Sequence, residues 1–493
     1  MGRRNRILQT KKVLVFGMGA CLGAALVLLL GCLKLKGKEV LVREPRAVSE
    51  SSLSYTPPPE PHFSAEFVKN YLPLISTMIS PKVEKAAEDV YVAMGYGLGN
   101  MVMIRTDDGL VIIDAGDSAE VANRVMADFR KISKLPVRYL ILTHFHPDHT
   151  GGFKAVAAPG VEIIATQDFL YWINYQNNFL AEHHRRSRTA QSGNSAPGYG
   201  FEVPLLKRSP LQIENEPKPD LPAPTITFRD NYSFTLGGKR FELFHTRGET
   251  EDHLAVWMPD QKILFPADLY YHSFPNLSTP MLEARPVQGW IDSLNRFIEL
   301  GPEIMVPQHT WPIKGAAQVR EHLVNYRDAV EFVHRETVRC INQGKTVDQA
   351  VAEVKLPERL KNLDYLQENY GKVEWSVRGI YHGYKGWYDG DGTGLYPLPP
   401  SHRSRELVAL AGGANNVLAR AIELQKAGEH QLCLELCEVV IQANPGDRLA
   451  HRIKAESLKQ LAFSIPNLNT FGFYRSAYAL EMQAAEQGEP KDE

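Results

Sequence analysis

Between Leu142 and Thr150 the chain reads Leu-Thr-His-Phe-His-Pro-Asp-His-Thr. His144, His146, Asp148 and His149 thus fall within six residues, directly after the apolar run Tyr139-Leu140-Ile141-Leu142. That run reads as a buried strand, and Pro147 with Gly151-Gly152 marks the following stretch as a loop. A loop at the carboxyl end of a strand can aim several side chains at one point. Neutral imidazole and carboxylate are good ligands for zinc and other borderline divalent ions. Two ligand pairs this close can serve two ions about 3.5–4 Å apart, the arrangement of two-metal hydrolases.

The elements that must position this loop are legible around it. Val90–Met94 and Met101–Ile104 read as strands, Asp107-Asp108-Gly109 as a hairpin turn and Leu110–Ile113 as a third strand. Asp114–Ser118 caps a helix predicted over Ala119–Ile132, and Val137–Leu142 returns to the loop. A strand at Val161–Ala165 follows, then strands from Ile226 to Leu243 around Gly237-Gly238. The first sheet is predicted to begin near Val90. Further on, His253 stands just before the strand Leu254–Met258, while Ile263–Phe265 and Ile304–Val306 lead to Asp268 and His309. An antiparallel run followed by strand–helix–strand alternation suits two packed sheets with helices outside.

Residues 168–224 interrupt the pattern. A helix opens at Phe169, and Glu182-His183-His184-Arg185-Arg186-Ser187-Arg188 is mostly basic. Beside a metal loop such an insertion is a candidate pocket wall, and Arg185, Arg186 and Arg188 are where an anion clamp is to be sought.

At 493 residues the chain is long enough for two or three domains, with the 44% hydrophobic and 23% charged content of a globular protein. A net charge of −2 offers nothing to nucleic acid. Of five cysteines, Cys21 and Cys32 sit in an apolar N-terminal run; Cys340, Cys433 and Cys437 lack metal-site spacing and read as buried thiols. Residues 1–12 form a basic tail, and Val13–Leu33 is uncharged. In a helix that run rises about 31 Å, enough to span a bilayer core. We read a single-pass anchor with the body outside the cytoplasm; a cleaved signal and a lipoprotein acylated at Cys32 are the alternatives. Residues 34–64, rich in Ser and Pro, read as a linker. Residues 65–319 make the catalytic unit, and 320–485 a helical unit with predicted helices at Asn325–Asn342, Thr346–Val354, Arg405–Ala427, Gln431–Asn444 and Arg448–Ala462. Residues 486–493 are a tail.

The His-x-His-x-Asp-His stretch resembles the metallo-β-lactamase superfamily. The likeness narrows with Gly95–Met101, His309–Gly315, Tyr365–Gly371, Val377–Tyr381, Gly386–Gly390, Pro397–Pro400 and Gly412-Gly413, which resemble the linear alkyl sulfatases. That resemblance implies an α+β protein: an αβ/βα sandwich followed by an all-α dimerisation domain and a homodimer. The sequence given ends at Glu493, before the sterol-carrier-like domain of that family. The resemblance also implies two zinc ions. One would be held by His144, His146 and His253, the other by Asp148, His149 and His309, with Asp268 bridging. Asp148 would also orient the water. In the resembled family the third-ligand and bridging positions are glutamate; the resemblance aligns them here with His253 and Asp268. Asn276 and Arg285 lie where the sulfate pocket is expected. The implied reaction is hydrolysis of an alkyl-type sulfate ester, with amphiphiles among the expected substrates. A phosphodiester, lactone or thioester hydrolase is the enzymatic alternative, and a non-catalytic membrane-tethered scaffold the other.

Overall fold

The computed structural model describes residues 53–63, 68, 80–196, 198–200, 220–281 and 285–487. Strands β1 (Lys82–Ala87), β2 (Val90–Met94), β3 (Met101–Thr106), β4 (Gly109–Ile113), β5 (Val137–Ile141), β6 (Glu162–Thr166) and β7 (Ile226–Phe228) form a seven-stranded sheet in sequence order. It is antiparallel from β1 to β4 and parallel from β4 to β7. Strands β8 (Asn231–Leu236), β9 (Lys239–His245), β10 (Leu254–Met258), β11 (Ile263–Phe265), β12 (Ile304–Met305) and β13 (Ile313–Lys314) form a six-stranded sheet in the reverse order.

Side-chain alternation explains the layering. In β3, Val102 and Ile104 face the second sheet, whereas Met101 and Met103 face outward under helix α1 (Ala119–Ile132). Strand β4 repeats the scheme, with Val111 and Ile113 inward and Leu110 and Ile112 under the helix. Both faces are apolar because both are covered. Two single-turn helices, α2 (Pro147–Thr150) and α3 (Phe153–Val156), carry the loop after β5. Next come α4 (Phe169–Asn174), a π-helical turn at Tyr175–Phe179 and α5 (Ala181–Ser192). The outer face of the second sheet is covered by α6 (Val287–Leu300) and α7 (Ala316–Asn342), whose Trp290, Phe297, Tyr326 and Val330 pack against Phe244 and Trp257. The result is a four-layered αββα sandwich.

The remaining helices are α8 (Val347–Glu353), α9 (Glu358–Lys361), α10 (Val373–Lys385), α11 (Pro400–Leu410), α12 (Ala414–Lys426), α13 (His430–Ala443), α14 (Arg448–Ser464) and α15 (Leu468–Gln487). Cys433, Cys437 and Cys340 are buried free thiols, as expected.

Three expectations change. The first sheet begins at Lys82, because β1 pairs with β2 although its faces are too polar to show alternation. The helix predicted over Arg405–Ala427 is two helices, broken where Gly412 and Gly413 take φ of 78° and 118°. The linker is docked from Leu53 onward: Leu53 and Tyr55 pack on the α12–α14 core, Lys459 Nζ pairs with Glu60 at 2.5 Å, and the Phe63 ring lies 4.5 Å from that of Phe463. The apolar run Val13–Leu33 lies outside the described residues; among those described, no helix is long and apolar enough to cross a membrane.

Candidate metal centre

Six loops converge at one end of the two sheets. Asp114 ends β4 with φ of 60° and serves as the hub. Its carboxylate accepts from the Thr143 N–H at 2.8 Å, the Thr143 hydroxyl at 2.9 Å and the Gln308 amide at 2.8 Å, and it meets His149 Nδ1 at 2.8 Å. The loop after β5 is thereby tied to the one after β12.

The Gly95–Asn100 segment does related work. Asn100 Nδ2 donates to Pro307 O and Thr310 O, and the Leu98 carbonyl lies 3.0 Å from His309 Nδ1. Gly99 is required for this approach, because a Cβ there would stand 2.5 Å from Asp148 O. The Leu98 N–H in turn donates to half-buried Asp117 at 2.7 Å.

Two groups of potential ligand atoms result. One comprises His144, His146, Glu249 and Asp268; the other Asp148, His149 and His309. Asp268 Oδ2 lies 3.8 Å from His144 Nε2, 3.3 Å from His149 Nε2 and 3.0 Å from His309 Nε2, so it stands between them. His149 Nε2 and His309 Nε2 lie 3.4 and 3.5 Å from Asp148 Oδ2. The outer nitrogens of His144, His149 and His309 are held by Thr143, Asp114 and Leu98, which leaves their Nε2 atoms facing inward. His149 Nε2 and Asp268 Oδ1 are buried without a hydrogen-bond partner. Buried polar atoms of this kind call for a missing partner, and these nitrogen and carboxylate donors fit a divalent ion of the zinc type.

The electrostatics agree. Burial, reinforced by the His149 and His146 rings, holds His144 well below the usual imidazole range, and burial with Arg285 nearby lowers His146 to about 3. Both are therefore in the neutral, ligating form. Burial also opposes charging of His149 and His309, but Asp268 and Asp148 outweigh it and raise both, His309 to about 9. Those two rings hold protons that a bound cation would replace. Burial pushes the Glu249 carboxyl up against the pull of Arg285, to about 8.

His144, His146, Asp148, His149, Asp268 and His309 are thus brought together. His253 is not in either group. Its Nδ1 meets the Thr246 hydroxyl at 2.9 Å, and its Nε2 accepts from the Asp268 N–H at 3.2 Å, so both nitrogens are engaged. The third donor beside His144 and His146 is Glu249, whose Oε1 is 3.5 Å from His146 Nδ1. The sequence held a signal for it: Glu249 stands four residues before His253 in the same loop.

Arg285 borders the first group, and the Asn276 N–H donates to the Tyr271 hydroxyl at 2.5 Å. The Arg285 guanidinium pairs with Glu249, and Asn276 Oδ1, Thr250 Oγ1 and Thr279 Oγ1 are buried without hydrogen-bond partners. Arg185 and Arg186 do not reach the centre; they turn outward and pair with Glu182 at 2.6 and 2.8 Å. The insertion still forms a wall, since Trp172 stacks on Phe145 of the metal loop at 6.2 Å and 15°.

Comparison with known proteins agrees with this geometry. Residues 94–309 match the metallo-beta-lactamase superfamily and residues 346–484 the alkyl sulfatase dimerisation family. A linear primary-alkylsulfatase of Pseudomonas is 34% identical over 403 residues, spanning 78% of this chain and 74% of that protein. An alkyl/aryl-sulfatase of Saccharomyces cerevisiae is 29% identical over 429 residues, 83% of this chain and 64% of that one. The solved structure of an inverting sec-alkylsulfatase from Pseudomonas superposes with a TM-score of 0.74 at 25% identity, covering 83% of this chain and 66% of that chain. Against these last two the chain spans just under two thirds of the relative's length. The chain belongs to the alkyl sulfatase family of the metallo-beta-lactamase superfamily, a family of hydrolases.

Proposed function

We propose that the protein is a binuclear zinc hydrolase that cleaves alkyl-type sulfate esters. The observation that carries this reading is the pair of ligand groups meeting at Asp268, with the Arg285 guanidinium paired to Glu249 of the first group. His144, His146 and Glu249 would hold one ion and Asp148, His149 and His309 the other, with Asp268 between. Bound ions of this kind bring the pKa of water toward about 7 and stabilise charge developing on ester oxygens.

The chain's own residues supply the rest. Burial opposes ionisation of Asp148, but His149 and His309 keep it well below the usual carboxylate range, so it can accept a hydrogen bond from the attacking water and orient it. Arg285, paired with Glu249, would be a contact for a sulfate group, with the Asn276 side-chain amide N–H as a second. The Phe145–Trp172 stack, continued by exposed Tyr171 and Phe179, supports an apolar leaving group. We further propose a homodimer formed through the helical unit, supported by the match of residues 346–484 to a dimerisation family. An anchor at Val13–Leu33 would hold the body outside the cytoplasm. A flexible tether over residues 34–52 would reach about 24 Å.

The test is hydrolysis of dodecyl, octyl and aryl sulfates, with phosphodiesters, lactones and thioesters alongside, together with metal analysis of the purified protein. The expected outcome is two zinc ions per chain and turnover of alkyl sulfates that improves with chain length, since each buried CH₂ contributes about 0.8 kcal/mol. Turnover confined to another ester would move the reading to that class.

A further inference from the structure

Helix α5 is amphipathic in charge. Arg185 and Arg186 are exposed and neutralised by Glu182. Ser187 is buried, and one turn beyond it Gln191 points inward, donating to Asn469 Oδ1 at 2.6 Å and to the Tyr370 hydroxyl at 3.4 Å. Tyr370 leads to the metal centre: its ring stands edge-on to Tyr271 at 5.6 Å, and Tyr271 stands edge-on to His309 at 6.2 Å.

Arg188 is three residues before Gln191 and shares that face. Its Nε is fully buried without a hydrogen-bond partner, and among the described residues it forms no ion pair. Burial pulls its pKa down, and the charge that opposes this is Asp148, a donor of the second ligand group. Leaving a charged donor buried and unsatisfied costs upwards of about 1–3 kcal/mol. Arg285 differs, because Glu249 already occupies its guanidinium. A guanidinium with spare donors in a closed site is suited to an oxyanion that presents two oxygens.

We propose that Arg188 is a second anion contact of this site, donating to an oxygen of the ester's sulfate, or of the sulfate product, from the Asp148 side. The inference rests on reading the site as one for anionic esters. It assigns the basic segment of α5 a single working member, the one that faces inward.

The experiment uses the full-chain, metal-loaded protein with inorganic sulfate as probe. Sulfate affinity is read from the shift in Tm on titration, and KM and kcat are read with decyl sulfate. Arg188→Met should weaken sulfate binding and raise KM by about tenfold or more, the loss expected for one charge-assisted hydrogen bond, with kcat less affected and metal content unchanged. Arg188→Lys should recover part of the affinity. If Arg188→Met does not fold, Arg188→Gln, which keeps hydrogen-bonding capacity without charge, should show the same loss. A sulfate affinity within twofold of the parent in a folded, metal-loaded variant overturns the proposal, as does a parent protein that binds no sulfate. Arg188-dependent sulfate binding without sulfate-ester turnover would reject the sulfatase reading and keep the anion contact. Turnover with Arg188-independent affinity would do the reverse.

Discussion

The Asp114 carboxylate holds His149 Nδ1 at 2.8 Å, while the opposite nitrogen of the same ring is buried and free of hydrogen bonds. One contact therefore sets the orientation of the ring and the tautomer that faces the centre. Asp114→Asn keeps the volume but removes the charge that favours Nδ1–H. It should lower metal affinity by about 10–100-fold, the usual loss for such an outer partner. Competition with a chelator measures this; unchanged affinity would mean that the ring is held by packing alone.

Glu249 and His253 make opposite predictions. Glu249→Gln should lose one of two bound ions and at least about 100-fold in activity, because a charged donor at the centre is gone. His253→Gln should retain both ions, since His253 supports the Asp268 amide from outside. Metal stoichiometry by mass spectrometry decides, and the reverse pattern would return His253 to the ligand set.

Two glycines should respond in opposite directions to alanine. A Cβ on Gly152 would lie 2.2 Å from Ala115 O and 2.5 Å from Ala122 Cβ, where the metal loop crosses the start of α1. Gly152→Ala should cost about 1–3 kcal/mol in denaturant unfolding and reduce activity through His149. Gly383, exposed within α10, would meet nothing within 4 Å, so Gly383→Ala should be neutral or stabilise by up to about 1 kcal/mol. Equal effects at both sites would contradict the close approach at Gly152.

In the helical unit, His451 of α14 bonds Glu481 of α15, which also pairs with Lys454 at 2.6 Å. The hydrogen bond to Glu481 raises the His451 pKa above 6.5, so its contribution is complete below pH 6.5 and is lost as pH rises through the raised value. Burial opposes ionisation of Glu481, yet His451 and Lys454 lower its pKa below 4.5. That contribution is complete above pH 4.5 and is lost as pH falls through the lowered value. The α14–α15 contact should therefore be strongest between about pH 4.5 and 6.5. His451→Gln should flatten the alkaline side of the stability profile; an unchanged slope there would exclude this pair as its source.

Trp387, Tyr396 and Leu398 are exposed by 71%, 89% and 70% on the segment between α10 and α11. A homodimer built on this ridge should be weakened by Tyr396→Ser with Leu398→Asp. Light scattering at micromolar concentration should then give the mass of one chain where the parent gives two. A parent that runs as a monomer would remove the dimer from the proposal.

Local signals sufficed wherever one stretch carried its own reason. The His144–His149 cluster, the capped helix from Ala119 and the alternating strands β3 and β4 need no distant partner to be recognised, because periodicity and caps are properties of a few adjacent residues. Strand β1 was not legible, since what makes it a strand is pairing with β2 rather than its own pattern. The break at Gly412-Gly413 was legible in residue type, but helical periodicity on both sides hid it. The ligand set divides the same way. Four donors share one loop, and Asp268 and His309 each follow an apolar strand, so spacing found them. Glu249 and His253 share a loop only four residues apart, and composition cannot say which one turns inward. The answer came from the Asp268 amide, which occupies His253 Nε2, and from the fold of the β9–β10 connection, which carries Glu249 to His146. The three arginines of α5 were equally indistinct in sequence, and only the tertiary packing separates Arg185 and Arg186, which pair outward with Glu182, from Arg188, whose Nε is buried. Residue type limits the chemistry a chain can do, but orientation about a helix or within a loop is set by contacts between segments far apart in sequence.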